Sequence, residues 1–207
     1  MMSKGLAPLT YIEANQMTRT VPHSPSDLIS PAYRQTQIEL HAAPRGYGGK
    51  GDKWSMAVAS IAFTRDVTTI LDYGCGQGSL RASLSTTRKL YTFNEYDPAI
   101  SGKDALPEPA DLVVCTDVLE HIEPEKLSTA LAHLYDLTKM VLFVVIATRP
   151  SNKTLSDGRN AHLILEDDAW WLARLTEAGF VQEPDEPKSP LKKPSREFVG
   201  VFRKATP

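Results

Sequence analysis

Four stretches of apolar residues along the chain have the length and composition of buried β-strands. They read TTILDY (68–73), KLYTFNEYD (89–97), ADLVVCTD (110–117) and KMVLFVVIAT (139–148). The first is rich in β-branched residues. The last is apolar throughout, which is typical of a strand covered by helices on both faces of a sheet. The pattern therefore predicts a mainly parallel sheet at the centre of the fold.

Between and around these strands the sequence has the periodicity and end signals of helices. Helices are predicted over residues 32–42, 54–63, 79–87, 123–138 and 167–180. Alternation of strands and helices indicates an α/β fold with helices on both faces of the sheet. Two closing strands, FVQEP (180–184) and EFVGVFRK (197–204), predict a C-terminal antiparallel hairpin. The apolar face of the second helix is predicted to include Met56, Ala59, Ile61 and Phe63.

The N-terminal region differs in composition from the rest of the chain. Residues 1–32 contain several prolines and few apolar clusters, so we expect a loosely structured arm there. The segment RGYGGKG (45–51) has four glycines in seven residues, which predicts a mobile loop. We therefore divide the chain into residues 1–53, an arm with a short helix and a glycine-rich candidate lid, and residues 54–207, the α/β domain.

Composition and charge exclude several classes of protein. Hydrophobic residues make up 42% and charged residues 23% of the 207 residues, an ordinary globular balance. The net charge of −2 provides no general attraction to nucleic acid or to anionic membranes, so a nucleic-acid partner is not favoured. The longest apolar run is too short to span a bilayer. We therefore expect no membrane partner. Two cysteines do not make a disulfide framework, so we expect a soluble cytoplasmic protein.

The first predicted strand ends in an unusual turn, ILDYGCGQG (70–78). Gly74, Gly76 and Gly78 allow the backbone to turn sharply and to approach a ligand closely, because they have no Cβ. The spacing is G-x-G-x-G, whereas the dinucleotide fingerprint is G-x-G-x-x-G and the phosphate-binding loop is G-x-x-x-x-G-K-[ST]. An NAD-dependent oxidoreductase is therefore disfavoured by the glycine spacing.

This turn resembles motif I, D/E-x-G-x-G-x-G, of the class I S-adenosylmethionine (SAM) dependent methyltransferases. The resemblance extends over residues 54–204 and implies a Rossmann-like fold with SAM as the cofactor. In the family an acid that ends the second strand holds the ribose hydroxyls of SAM; Asp97 stands there, with Glu95 as the alternative. The segment DALPEPADLVVCTDVLEHIEP (104–124) is similar to the family's fourth-strand region, near the adenine. The implied cofactor-binding residues are Asp72, Tyr73, Gly74, Cys75, Gly76, Gly78, Asp97, Pro98, Asp104, Ala105 and Thr116.

One departure from the family pattern concerns the segment between the ribose acid and the adenine segment. Only PAISGK separates Asp97 from Asp104, where the family usually has a helix and a third strand. We therefore expect the third strand and its helix to be missing or vestigial and the sheet to be narrower. The adenine pocket would then be open or covered by another part of the chain, for which the N-terminal arm and the glycine-rich loop are candidates.

The segment TDVLEH (116–121) follows the third predicted strand and carries acids and a histidine. Residues three and four apart share one helical face, so Asp117, Glu120 and His121 are expected to point to one place. With His162 this cluster resembles the metal site of small-RNA 2′-O-methyltransferases, and its first part resembles magnesium-dependent O-methyltransferases of the ubiquinone pathway. The resemblance implies Mg²⁺ or another divalent cation held by Asp117, Glu120, His121 and His162. Asp117, His121 and His162 as a metal-free base or substrate ligands are the alternative.

These residues lead to one main functional hypothesis and two alternatives. The main one is a SAM-dependent methyltransferase that methylates an oxygen of a small-molecule acceptor by in-line transfer. The first alternative is methylation of a nucleic-acid hydroxyl, assisted by a metal. The second is a catalytically silent module that binds SAM and serves a partner protein. The sequence does not name the methyl acceptor.

Overall fold

The computed structural model describes residues 22–42, 47–85, 90–184 and 196–205. The arm before residue 22, Arg45 in the glycine-rich loop and the proline-rich segment 185–195 lie outside these residues. At the centre is a six-stranded sheet with the strand order β2-β1-β3-β4-β6-β5. The strands are β1 (Thr69–Tyr73), β2 (Thr92–Tyr96), β3 (Ala110–Thr116), β4 (Thr138–Ala147), β5 (Phe180–Gln182) and β6 (Glu197–Lys204).

Six α-helices and three short 3₁₀ turns surround the sheet in the described part of the chain. The helices are α1 (Pro25–Leu28), α2 (Pro31–Ala42), α3 (Ser55–Thr64), α4 (Ser79–Leu84), α5 (Leu127–Leu137) and α6 (Asp168–Glu177). The 3₁₀ turns are Gly51–Trp54, Leu119–His121 and Pro124–Lys126. Helix α6 begins as its sequence predicts, since the Asp167 side chain accepts a hydrogen bond from the Trp170 N–H at 2.9 Å.

The pairing of the strands confirms the predicted topology. Strands β2, β1, β3 and β4 are parallel neighbours, whereas β6 runs antiparallel to both β4 and β5. Residues 97–109 connect β2 directly to β3 without a helix or a strand between them. Among the described residues β2 pairs with β1 alone, so the sheet lacks the family's third strand, as predicted.

Apolar side chains cover both faces of the sheet. On one face Trp54 and Phe143 are fully buried among residues of α3 and α4, with their ring centroids 5.8 Å apart. On the other face Leu134 and Trp171, also fully buried, pack α5 and α6 against the sheet. Fully burying one such side chain stabilises the fold by about 2 kcal/mol.

The predicted apolar face of α3 is wrong at two positions. Met56 and Phe63 are 83% and 76% exposed, whereas Val58, Ile61 and Ala62 are buried. The buried residues are three and four positions apart, which is the spacing of one helical face. Met56 lies two positions from Val58 and Phe63 two positions from Ile61, a rotation of about 200° in each case, so both side chains lie on the opposite side of the helix. The sequence of α3 does not show which face packs against the sheet, because both faces carry apolar residues.

The N-terminal helix α2 packs against the loops at the carboxyl end of the sheet. The Tyr33 hydroxyl donates to the His121 carbonyl at 2.7 Å, and the Ser30 N–H donates to the Glu123 carboxylate at 2.7 Å. Arg34 forms an ion pair with Asp104 at 2.9 Å. These contacts place α2 beside the connection that replaces the family's third strand. No helix within the described ranges is both long and apolar enough to cross a membrane.

Candidate active site

A cavity of about 650 Å³ lies at the carboxyl ends of β1, β2 and β3. Ligands of open parallel sheets bind at this end, because loops from several strands meet there. The walls come from the glycine turn after β1, the ends of β2 and β3, the loop after β4, helix α2 and residues 47–51. One space therefore brings together most of the residues that the sequence indicates.

The glycine turn forms one end of the cavity. Gly74 and Gly76 have φ angles of 78° and 49°, a left-handed region that glycine adopts without strain. A Cβ on Gly74 would lie 2.3 Å from Cγ2 of Val118, and one on Gly76 would lie 2.3 Å from the carbonyl oxygen of Gly48. Both positions therefore require glycine for conformation and for space.

Two buried carboxylates lie beside this turn. Asp97 accepts hydrogen bonds from the N–H of Gly76 at 3.0 Å and from the N–H of Ala99 at 2.9 Å. These bonds fix the carboxylate against the turn, and an ionised carboxylate can accept further bonds from a ligand. Burial, together with the neighbouring Glu95, raises the pKa of Asp72 to about 7. A cation in the cavity would lower that pKa again.

Tyr73, Cys75, Pro98 and Thr116 also line the cavity, whereas other residues of the predicted cofactor set are placed elsewhere. Gly78 caps α4, and a Cβ on it would lie 2.5 Å from Oε1 of Glu95. Asp104 pairs with Arg34 on α2, and neither it nor Ala105 is among the residues of the cavity wall. A cofactor role for Gly78, Asp104 and Ala105 remains a prediction.

The described part of the glycine-rich loop lies directly on the glycine turn. The Gly48 carbonyl accepts a hydrogen bond from the Gln77 N–H at 2.9 Å. Residues Tyr47 to Gly51 line the cavity. The lid role of this loop remains a prediction.

His121 and His162 also line the cavity, and they form a cluster with Glu120, which lies behind the cavity wall. One ligand atom from each lies within 4.8 Å of the other two. Glu120 is fully buried, and its Oε1 accepts a hydrogen bond from the Ala147 N–H at 2.9 Å. Its Oε2 has no partner among the described residues. Burial and the nearby Asp117 raise the pKa of Glu120 to about 8.

Both histidines of the cluster are held by backbone carbonyls. Nδ1–H of His121 donates to the Ala161 carbonyl at 2.7 Å, and Nδ1–H of His162 donates to the Arg149 carbonyl at 2.6 Å. In each ring Nε2 is therefore the nitrogen with a free lone pair. Burial, with the neighbouring His162, lowers the pKa of His121 to about 4; burial also lowers the pKa of His162. Both rings are thus neutral at pH 7.

The Tyr47 hydroxyl lies against the His121 ring, 2.9 Å from Nδ1 and 3.1 Å from Nε2. Because Nδ1–H already donates to a carbonyl, the tyrosine hydroxyl donates to Nε2. Tyr47 thereby connects the glycine-rich loop to the histidine cluster.

Asp117, the fourth predicted metal ligand, lies outside the cluster. Its carboxylate is 2.9 Å from Nζ of Lys53, which also lies 3.4 Å from the buried Glu197 carboxylate. Burial alone would lower the pKa of Lys53, but these two carboxylates outweigh burial and raise it. Lys53 therefore stays charged and joins the two acids.

The structure adds residues to the cavity that the sequence analysis missed. They include Tyr47 on the glycine-rich loop and Arg149 and Lys153 after β4. Arg149 directly follows the predicted strand 139–148, at the edge of a parallel sheet where ligands bind, so its place could have been inferred from the sequence. Tyr47 had no comparable signal.

Comparison with known proteins assigns the family. A sequence profile described as a methyltransferase domain matches residues 42–185, which is more than half of the chain. The chain therefore belongs to the methyltransferase domain family, within the class I SAM-dependent methyltransferases. No curated protein matches the chain in sequence.

Three solved methyltransferase structures have a similar fold. A 1,6-didemethyltoxoflavin N1-methyltransferase from Burkholderia thailandensis has a TM-score of 0.55 and 16% identity, covering 99% of this chain and 94% of that one. The methyltransferase domain of bacterial CtHen1 has a TM-score of 0.54 and 14% identity over 73% and 98%. A magnesium protoporphyrin IX methyltransferase from Synechocystis has a TM-score of 0.52 and 16% identity over 87% and 97%. At these identities the likeness shows the fold.

Proposed function

We propose that this protein transfers the methyl group of SAM to an oxygen atom of a small-molecule acceptor. One observation carries the proposal: a single cavity has the glycine turn and Asp97 at one end and two neutral, carbonyl-anchored histidines at the other. Alignment of donor and acceptor in such a space accounts for much of the barrier lowering in a displacement reaction.

The donor end has the groups that SAM requires. Bare backbone at Gly74 and Gly76 lets the amino-acid part of the cofactor lie close, and Asp72 is placed for its ammonium group. Asp97 is fixed beside the turn and takes the ribose hydroxyls. Tyr47 to Gly51 cover this end as a lid.

At the acceptor end, His162 is the better candidate for the base. The base must be neutral, which also holds for His121, and it must have a free Nε2, which does not hold for His121 because that nitrogen accepts the Tyr47 hydroxyl. The pKa of His121 is also about 4, which makes it a weak base. His162 meets both conditions, so we assign it the proton of the acceptor hydroxyl, and we assign His121 a positioning role beside it.

A metal-assisted form of this reaction is the second candidate, supported by the unpartnered Oε2 of Glu120. This buried oxygen and the Nε2 lone pair of His162, with that of His121 once the Tyr47 hydroxyl moves aside, fit a divalent cation that accepts mixed oxygen and nitrogen ligands, such as Mn²⁺ or Zn²⁺. Glu120, His121 and His162 would hold it. Such a cation would lower the pKa of an acceptor hydroxyl. Metal analysis of the purified protein and of Glu120→Gln separates the two forms.

The first test is a calorimetric titration with S-adenosylhomocysteine (SAH), the demethylated product. We expect one site of micromolar affinity, weakened about tenfold or more in Asp97→Ala and unchanged in the exposed control Asp168→Asn. Binding of NADH instead of SAH would contradict the proposal.

The second test measures transfer from methyl-labelled SAM to a panel of hydroxylated small molecules, with and without divalent cations. His162→Gln should lower the rate about 100-fold while the affinity for SAH stays the same. Full activity of His162→Gln would remove this residue from the mechanism. SAH binding without transfer to any hydroxyl would favour the silent module.

A further inference from the structure

The cations of the cavity wall near His121 and His162, the acceptor end, differ in whether they form ion pairs. Lys53 is neutralised by Asp117 and Glu197. Arg149 and Lys153 also line the cavity and are only partly exposed, yet neither side chain has an ion pair within the described ranges. Two cations of the cavity wall therefore have a charge that no described carboxylate neutralises within ion-pair distance.

Hydrogen bonds and packing hold the segment that carries these cations, residues 149–161, in place. The Ser151 N–H donates to Oδ1 of Asn160 at 3.0 Å, and Nδ2 of Asn160 donates back to the Ser151 carbonyl at 2.9 Å. The Ala161 N–H donates to the Lys153 carbonyl at 3.0 Å. Buried Leu155 on the same segment packs with Tyr33 of α2. The backbone of both cations is therefore fixed relative to the cavity.

Arg149 is also directly connected to the proposed base. Its carbonyl accepts the Nδ1–H of His162 at 2.6 Å. The backbone of Arg149 thus lies at the place where an acceptor hydroxyl would lose its proton, and Arg149 and His162 belong to the same cavity wall.

We propose that the methyl acceptor is an anion, whose carboxylate or phosphate binds to Arg149 and Lys153 and thereby places its hydroxyl at His162. This inference rests on the proposed function and narrows it to one substrate class. Guanidinium and ammonium groups form their strongest hydrogen bonds with such anions, in which both partners are charged. The same two cations form only weaker hydrogen bonds with a neutral acceptor.

The test uses inorganic phosphate, acetate and the neutral isostere acetamide as probes. Each is titrated into the full-length protein with and without SAH, while NMR follows the His162 ring signals. We expect phosphate or acetate to bind and acetamide not to bind, and the tighter of the two anions identifies the group on the acceptor.

Arg149→Gln and Lys153→Gln should each weaken anion binding several-fold, and the double variant about tenfold or more. Lys139→Gln, an exposed lysine at the start of β4, is the matched charge control and should bind like the wild type.

The outcomes separate this inference from the proposed function. SAH binding with no anion binding overturns the inference and leaves the methyltransferase proposal intact. Anion binding that the double variant retains in full indicates an adventitious ion only and also overturns it. Absence of SAH binding counts against the proposed function, while the titration without SAH still decides the anion site. If the double variant does not fold, the two single variants decide.

Discussion

The two ends of the cavity are built in different ways. The donor end comes from neighbouring strands: the turn after β1 and Asp97 after β2 meet through a hydrogen bond of 3.0 Å. The acceptor end comes from distant segments: Tyr47 and Lys53 precede α3, His121 follows β3, and Arg149 and His162 lie on the connection from β4 to α6. Backbone shape defines the donor end, whereas side-chain charge and tautomer define the acceptor end.

The donor end is the part that proteins of this fold have in common, whereas the acceptor end is particular to each protein. A cofactor common to many enzymes needs one local arrangement of glycines and an acid, which a short motif can encode. An acceptor particular to one enzyme needs groups that only the folded chain brings together. Variants at the donor end should therefore change SAH binding, and variants at the acceptor end should change stability or transfer.

The largest effect is expected at Gly76. Gly76→Ala would place a Cβ 2.3 Å from the Gly48 carbonyl oxygen at a φ of 49°, and should weaken SAH binding about 100-fold by calorimetry. Gly102→Ala is the matched control, because Gly102 has a φ of 82° and no atom within 4 Å of a Cβ. Equal SAH affinities of the two variants would show that the contact between loop and turn has no role in binding.

At the acceptor end the largest effect should be on stability. Lys53→Met leaves the buried Glu197 carboxylate without its cation and should lower the free energy of unfolding by about 2 kcal/mol. Urea denaturation measures this loss. Adding Glu197→Gln should restore most of it, since the double variant no longer buries an unpaired charge. If the double variant regains no stability, the ion pair between Lys53 and Glu197 does not stabilise the fold.

A tenfold effect is expected from pH at the donor end. The raised pKa of Asp72, about 7, means that its carboxyl is largely protonated at pH 6 and ionised at pH 8. The ammonium of SAH prefers the ionised form, so SAH should bind about tenfold more tightly at pH 8 than at pH 6. Asp72→Asn should bind weakly at both values. The same pH profile in Asp72→Asn would assign the titration to another group.

The smallest effect is expected at Tyr47. Tyr47→Phe keeps the ring and removes the hydroxyl that donates to His121, which should lower the free energy of unfolding by about 1 kcal/mol. Thermal and urea unfolding measure the change. The affinity for SAH should not change, and a large loss of SAH binding would place the Tyr47 hydroxyl at the donor end.

The sequence was sufficient for the fold because its signals are local. The strand pattern, the glycine spacing and the short PAISGK connection predicted the sheet, the turn and the missing third strand. The inner face of α3 was not predictable, because Met56 and Phe63 are as apolar as Val58 and Ile61. Only packing against the sheet selects one face.

The site was predictable only in part, for a related reason. Asp97 and His121 follow predicted strands, so their place at the mouth of the sheet could be inferred. The bridge between Asp117 and Lys53 could not be inferred, since it depends on how residues 51–54 pack against the sheet. The role of Tyr47 likewise depends on where the glycine-rich loop lies.

The Lys53 bridge also has a consequence for how the chain folds. Its bond to Glu197 joins residues 144 positions apart, from the segment before α3 to the first residue of β6. Contacts of such long sequence separation require the closure of a large loop and form slowly. We expect the glycine turn to form with the early parallel strands and the acceptor end to be completed only when β6 joins the sheet. A nascent chain that lacks its last strand would then have the motif of the cofactor site without a finished catalytic pocket.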